Sequence, residues 1–347
     1  MDVNGLNADI ENLAYSTDTI AGKVNSFTAK DKSGLNILKF HTAFLYGPKN
    51  AYLNNLLVET PQTRIQNKLQ VSYPSIESLS KNIGLLDVNA NLDGSILGLK
   101  DVLLLMPSMA SMDPFKHAPN ATFKINGRVI GKVNDLSIPE LEISGLSKTH
   151  IKASANMKGL PDVNKAYFDL KIEDFTTGSA DIAKLVSPGV VPSAVSIPAN
   201  LTLKGNFKGG LYNFNTQMAL RSSYGAVDLN AVMKNGNNKR GANYSANIKV
   251  NNLNVGALSK QPQTAGSITL TSTITGTGLD PKKASIKFRA DVQRAYIKGY
   301  NYQNLAVNGT SHDGSYTARA RMKDPNINFT FDGKADLNKK YPAVNAN

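Results

Sequence analysis

The sequence predicts a mostly β protein laid out as an antiparallel meander, and three observations carry that expectation. Apolar residues alternate singly with Asn, Thr, Ser and Lys, the period-2 pattern of strands with one wet face. Turn signals separate the runs, giving a strand roughly every 10 to 14 residues. Glycines recur at matching places in a weak internal repeat.

The runs are specific. Phe123, Ile125, Val129 and Val133 alternate with Lys124, Asn126, Arg128 and Lys132, and Ile151 and Met157 bracket a second run containing Ala153 and Ala155. The pattern returns through Leu201, Leu203 and Phe207, then Val227, Leu229, Ala231 and Met233. It continues in Ile248 and Val250, in Ile268 and Leu270, in Phe288 and Ala290, and finally in Phe329 and Phe331. Asn235-Gly236, Asp313-Gly314 and Asp332-Gly333 read as turns.

Three short helices interrupt the strands: 75–82, which opens on a serine cap, Leu99–Leu105, and a capped segment at 179–186. Each is too short to persist without tertiary packing. Leu103, Leu104 and Leu105 are too apolar to lie free in water and are expected to pack over the sheet.

The repeat covers 120–139, 199–219 and 266–287. Each copy holds a central glycine (Gly127, Gly205, Gly276) and a second one (Gly131, Gly209, Gly278). A glycine inside a strand weakens it, so the recurrence predicts a bulge that bends the sheet. Such bends curl a flat sheet into a trough.

Composition narrows the function classes. The 347 residues are 41% apolar and carry 39 Lys+Arg against 26 Asp+Glu, a formal charge of +13. The lysines are spread about one per strand instead of gathering with aromatics on one face, which speaks against nucleic acid. With no cysteine, disulfides, zinc-thiolate sites and thiol nucleophiles are excluded. His41, His117, His150 and His312 have no metal-ligand neighbour at helical spacing. Ser311-His312-Asp313 names three catalytic residue types, yet adjacent residues cannot form a triad, and a hairpin turn explains them. No enzyme, cofactor or metal is expected. The polar start Met1-Asp2-Val3-Asn4-Gly5 has no basic n-region and reads as a chain entered in mid-pattern, with any membrane anchor outside it.

Further segments are Asn126-Gly-Arg-Val-Ile-Gly-Lys-Val-Asn-Asp-Leu, the run from Ile151 to Asn164, Asp181-Ile-Ala-Lys-Leu-Val186, Gly205-Asn-Phe-Lys-Gly-Gly210 and Gly276-Thr-Gly-Leu-Asp-Pro281. Together they resemble the AsmA-like superfamily, and within it TamB-type proteins, the inner-membrane subunits of the translocation and assembly module, in their Bacteroidota-like form. The likeness runs through nearly the whole chain. It implies a long curved antiparallel β-sheet forming an elongated apolar groove in the periplasm, inner-membrane anchored in the full-length protein. It further implies movement of phospholipid or another acyl-chain lipid between membranes, outer-membrane biogenesis, and an outer-membrane BamA-family partner. On that basis 1–118 is an N-terminal groove segment with helices near 75–82 and 99–105, and 119–347 is the AsmA-like repeated groove.

Alternation then selects the groove lining: Phe123, Ile125, Val129, Ile151, Met157, Leu201, Leu203, Phe207, Leu229, Met233, Ile248, Ile268, Leu270, Phe288, Phe329 and Phe331. Alternation alone suits equally a closed sandwich, with the same residues between two sheets. An alternative function is a scaffold that adds a strand to an assembly partner through an open sheet edge.

Overall fold

A computed structural model describes residues 3–280, 283–336 and 343–346. The chain divides into two compact units, Met1–Val190 and Val191–Asn347. Both are built from antiparallel strands, most of them joined by short turns.

The first unit contains β1 (Val3–Tyr15), β2 (Ile20–Asp31), β3 (Asn36–Tyr46), β4 (Asn50–Glu59), β5 (Arg64–Ser72), β6 (Asp87–Asn91), β7 (Ser95–Gly98), β8 (Thr122–Lys132), β9 (Asp135–Gly145), β10 (Thr149–Lys158) and β11 (Tyr167–Thr177). Each pairs with the next, except that β6 and β7 lie end to end and share one lane between β5 and β8. This lane runs across the expected division at 118/119. Hydrogen bonds from β6 and β7 to β8 join the residues before that point to those after it.

The second unit contains β12 (Leu201–Gly209), β13 (Phe214–Ser222), β14 (Gly225–Lys234), β15 (Asn243–Asn254), β16 (Ala265–Thr277), β17 (Ser285–Ile297), β18 (Tyr300–His312), β19 (Ser315–Lys323), β20 (Asn328–Asp336) and β21 (Ala343–Ala346). They form an uninterrupted meander in sequence order. The repeat seen in the sequence corresponds to the hairpins β8–β9, β12–β13 and β16–β17.

Helices are short. Between β5 and β6, α1 (Ser78–Lys81) occupies only part of the expected 75–82 span, and its cap residue Glu77 makes no side-chain capping bond, its carboxylate instead lying 3.7 Å from Lys81 Nζ. The serine that was to cap it is engaged elsewhere, Ser75 Oγ lying 3.1 Å from Ser78 Oγ. After β7 comes α2 (Leu99–Leu105), where the sequence places it. Following β11 is α3 (Ser179–Leu185), whose cap position is Gly178, so the expected side-chain cap is absent. Between β15 and β16, α4 (Val255–Leu258) is capped by the Asn254 side chain, which accepts from the Ala257 N–H.

The three buried carboxylates among the described residues, Asp101, Asp181 and Asp324, each fasten a turn at a sheet rim. Asp101 of α2 accepts from the Thr60 hydroxyl of the β4–β5 turn. Asp181 of α3 accepts from the Lys148 N–H at 2.7 Å, the Thr149 hydroxyl at 2.9 Å and the Ser147 N–H at 3.2 Å. Asp324, after β19, accepts from the Tyr300 hydroxyl and from the Gln303 N–H at 2.9 Å.

Only seven residues long, α2 is held by its first turn, through buried Leu99 and Asp101. Its last residue runs off the rim, and Leu105 is 65% exposed, contrary to the packing expected of it. No helix among the described residues is long and apolar enough to cross a membrane.

Asp181 links this geometry to pH. Burial pushes its pKa up, but the Lys148 N–H, the Thr149 hydroxyl and the Ser147 N–H together hold it below the usual carboxylate value. A depressed folded-state pKa stabilises the fold above the unfolded value, about 3.9, and that stability is lost as pH falls through the folded value. Asp181→Asn should therefore cost about 1–3 kcal/mol at pH 7. In urea unfolding, the gap between wild type and variant should close as pH drops below about 4.

Candidate functional site

In the second unit the strand register gathers apolar side chains into four continuous rows. One crosses Leu203, Leu220, Val227, Val250, Leu270, Val292, Leu305, Met322 and Phe329. The next crosses Gly205, Met218, Leu229, Ile248, Ser272, Ala290, Val307, Ala320 and Phe331. A third passes from Phe207 through Ala246, Ile274 and Phe288 to Gly309, and a fourth from Phe214 through Met233, Tyr244 and Ile286 to Tyr316. No row contains a charged residue. Leu201 and Ile268 share the parity of Leu203 and Leu270, so they extend the same face.

The opposite face of the same strands is polar. It carries Lys204 and Asn206, Asn230, Asn247 and Lys249, and Thr273 and Thr275. Arg221–Asp228 at 2.6 Å, Arg289–Asp291 at 3.0 Å and Arg319–Asp332 at 2.6 Å pair there in solvent, where such pairs add little stability.

Among the described residues of this unit, no further strand packs closely over this apolar face. Beyond hydrogen-bonded neighbours, the substantial packing between described elements of this unit is α4 on β16. Phe207, Leu229, Ile248, Leu270 and Phe288 are half-buried, where the core of a sandwich would bury them fully. The face is still the more sheltered of the two: Ala246, Ala290, Ala318 and Ala320 are half-buried, while Thr273, Thr275, Thr310 and Thr317 are exposed.

Aromatic rings lie across neighbouring glycines on this face. A Cβ at Gly276 would stand 2.4 Å from Tyr244 Cζ, one at Gly309 2.6 Å from Phe288 Cε1, and one at Gly333 2.5 Å from Phe331 Cζ. The first two pairs are directly opposed in the ladder, so the glycine makes room for a ring laid flat. That explains two departures from expectation. Gly205 and Gly276 sit in unshifted register and are not bulges, and Asp332-Gly333 lies inside β20 instead of turning. In β8 the register does shift beside Gly127. Phe329 and Phe331 share the apolar face but are 40% and 37% exposed, because β21 pairs only with Gly333–Asp336.

The first unit has its own apolar face. Ile125 lies in a row with Ile143, Ile151 and Phe175, and Met157 stands between Leu136 and Phe168. Phe123 opposes Leu97 and Gly145. Val129 begins a row through Ala90, Leu69 and Leu53 to Phe44. That row enters a concavity of about 430 Å³ lined by Phe44, Tyr46, Ala51, Leu53, Leu69, Val71, Val88 and Ala90.

Sequence reasoning passed over these eight residues. Their signal is two apolar residues per strand, at i and i+2, in β3 to β6. The parity breaks at Asn55 and Asn67, whose left-handed φ values of 51° and 88° accompany the register shift between Asn54 and Leu56. Asparagine adopts that conformation more readily than most residues.

The Asp113 carboxylate accepts from the Ser187 hydroxyl and lies 3.0 Å from Nε2 of His117, four residues along the chain, so His117 does have a ligand-type neighbour at helical spacing, contrary to expectation. Among the described residues no cluster of three or more His, Asp or Glu could hold a metal. Ser311, His312 and Asp313 sit at the β18–β19 hairpin, with His312 Nε2 3.5 Å from the Asp313 carboxylate in solvent.

Flat rings over glycines make a testable stability claim. Gly309→Val should destabilise the fold by about 1–3 kcal/mol, because Phe288 must leave its position. Thr273→Val, exposed on the other face, should change stability by no more than about 0.5 kcal/mol. Denaturant titration followed by circular dichroism measures both. No family model, curated protein or solved structure matches this chain, so the reading of these faces rests on its own residues.

Proposed function

We propose that the apolar face of each unit shelters the acyl chains of phospholipid, making the chain a non-enzymatic, lipid-conducting segment. The observation that carries this reading is the uncharged, mostly apolar face of the second unit, half-buried and with no further described strand of that unit packed closely over it. Apolar surface left in water costs about 25 cal/mol per Å², and an exposed patch of this extent marks a binding surface. An acyl chain laid along the rows gains about 0.8 kcal/mol per buried methylene. Contacts of that kind are non-directional, so a chain slides along a row without breaking specific bonds. The resemblance to TamB-type proteins supports a periplasmic role for this activity, in phospholipid transport between inner and outer membranes and in outer-membrane biogenesis.

A second reading, a scaffold for outer-membrane protein assembly, draws on β1. Among the described residues it pairs only with β2, and Leu6, Ile10, Leu13 and Tyr15 on it are 57%, 46%, 61% and 83% exposed. An open edge with exposed apolar residues accepts an added strand, for example from a BamA-family protein.

The lipid reading is tested by photo-crosslinking. A crosslinker at Phe207 should capture co-purifying phospholipid, and one at Lys204, on the opposite face, should not. Capture at Lys204 alone would invert the assignment. The triple change Phe207→Asp, Leu229→Asp and Ile248→Asp should abolish phospholipid seen by native mass spectrometry of detergent-free protein. Circular dichroism must show the variant folded, since buried charge is costly.

A further inference from the structure

The polar face of the second unit is not uniform. At the rim where β14, β16 and β18 end and β15 and β17 begin, it sinks into a basin of about 640 Å³. Lys234, Lys287 and His312 stand around it, with the hydroxyls of Ser245, Thr275 and Thr277 between them. Register explains the grouping: Lys234 opposes Asn243, Asn243 opposes Thr277 and Thr277 opposes Ser285, while Ser245 opposes Thr275 and Thr275 opposes Lys287.

Neither Lys234 nor Lys287 has an ion-pair partner among the described residues. The Thr277 hydroxyl is committed to Asn243 Oδ1 at 2.9 Å, whereas those of Ser245 and Thr275 make no side-chain hydrogen bond among the described residues. A neighbouring depression of about 460 Å³ at the same rim adds Lys239, Arg240 and Lys283, with Asp280 and Asp313 as its acids. Cations therefore outnumber carboxylates along this rim, and hydroxyl donors lie between them. That combination suits an oxyanion: ammonium groups bind phosphate as point charges, and short hydroxyl side chains supply further donors.

We propose that this basin binds a phosphoryl group, carried by a glycerophosphate-type ligand and held by Lys234 and Lys287 with Ser245 and Thr275. The source is a lipid headgroup or a free phosphate ester, and only the first depends on the acyl-chain reading above. The geometry suits a lipid. Met233, Tyr244 and Ile286, one residue away along the same strands, belong to the apolar row on the other face. A phospholipid straddling the rim would keep its phosphate on the polar side and its chains on the apolar side.

The test titrates glycerol 3-phosphate into wild type, the double variant Lys234→Ala/Lys287→Ala and a charge-matched control, Lys249→Ala/Lys323→Ala, with binding followed by NMR. All four lysines are exposed, so the fold should survive, as circular dichroism would verify. The basin variant should bind at least about fivefold more weakly than wild type, and the control within twofold of it. Equal affinity for wild type and basin variant, or equal weakening in the control, would overturn the proposal. A second arm sediments each protein with phosphatidylglycerol vesicles. Loss of capture in the basin variant alone identifies the lipid headgroup as the source; unchanged capture with weakened glycerol 3-phosphate binding identifies a free phosphate ester. Crosslinking at Phe207 is repeated in the basin variant. Lipid captured there with no phosphate effect rejects the basin and leaves the acyl-chain face standing, whereas phosphate binding without captured lipid does the reverse.

Discussion

Strand register is the constraint on which both faces depend. A strand sends successive side chains to opposite sides, so an apolar face survives only if every neighbour pairs in the same parity. From β12 to β20 the ladder runs without a shift across all four apolar rows; the shifts near Val250 and Thr269 fall outside them. A slip of one residue in any strand would bring charged or amide side chains such as Lys204, Asn206 and Lys249 among the leucines and phenylalanines. The hydrophobic pattern itself penalises that slip, and this is why the sheet holds one arrangement.

Glycines set against rings give such a sheet close packing of its own. Tyr244 over Gly276 and Phe288 over Gly309 cover backbone with aromatic carbon and shield the ladder bonds beneath. Buried Thr216 belongs to the same economy of space: it stands on the apolar face beside Phe207 and hides its hydroxyl by donating to the Asn206 carbonyl at 2.8 Å. At the rims shielding comes from polar bonds instead, with Asp181 and Asp324 gathering the N–H groups and hydroxyls that turns leave over.

Much of this was legible in the sequence, and the limits have physical causes. The alternation of Leu201, Leu203 and Phe207 with Thr202, Lys204 and Asn206 is a local property, and runs of this kind located the strands of the second unit. The helix at Leu99–Leu105 was equally local. What failed depended on partners far along the chain. Whether Gly276 marks a bulge or a seat for a ring is decided by Tyr244, which only the ladder brings opposite. Asp332-Gly333 reads as a turn until Phe331 lies over it within a strand. The concavity lined by Phe44 and Leu69 escaped notice because asparagines in left-handed conformation reset the parity between short apolar runs. The pairing of β6 and β7 with β8 across 118/119 is likewise one that no local pattern announces.

Among the described residues of the second unit, strands pack chiefly on those hydrogen-bonded to them, with α4 added on β16, so the energetics resemble a row of dominoes more than a globule. Cohesion passes from neighbour to neighbour, as in repeat proteins. Removing a hairpin of two strands restores both chain direction and parity, and the sheet closes over the gap with its apolar face intact. Removing one strand reverses the direction of everything downstream and moves each later turn to the opposite rim. Sheets of this kind therefore lengthen and shorten naturally in steps of two strands, a unit of change that leaves the apolar face continuous at any length.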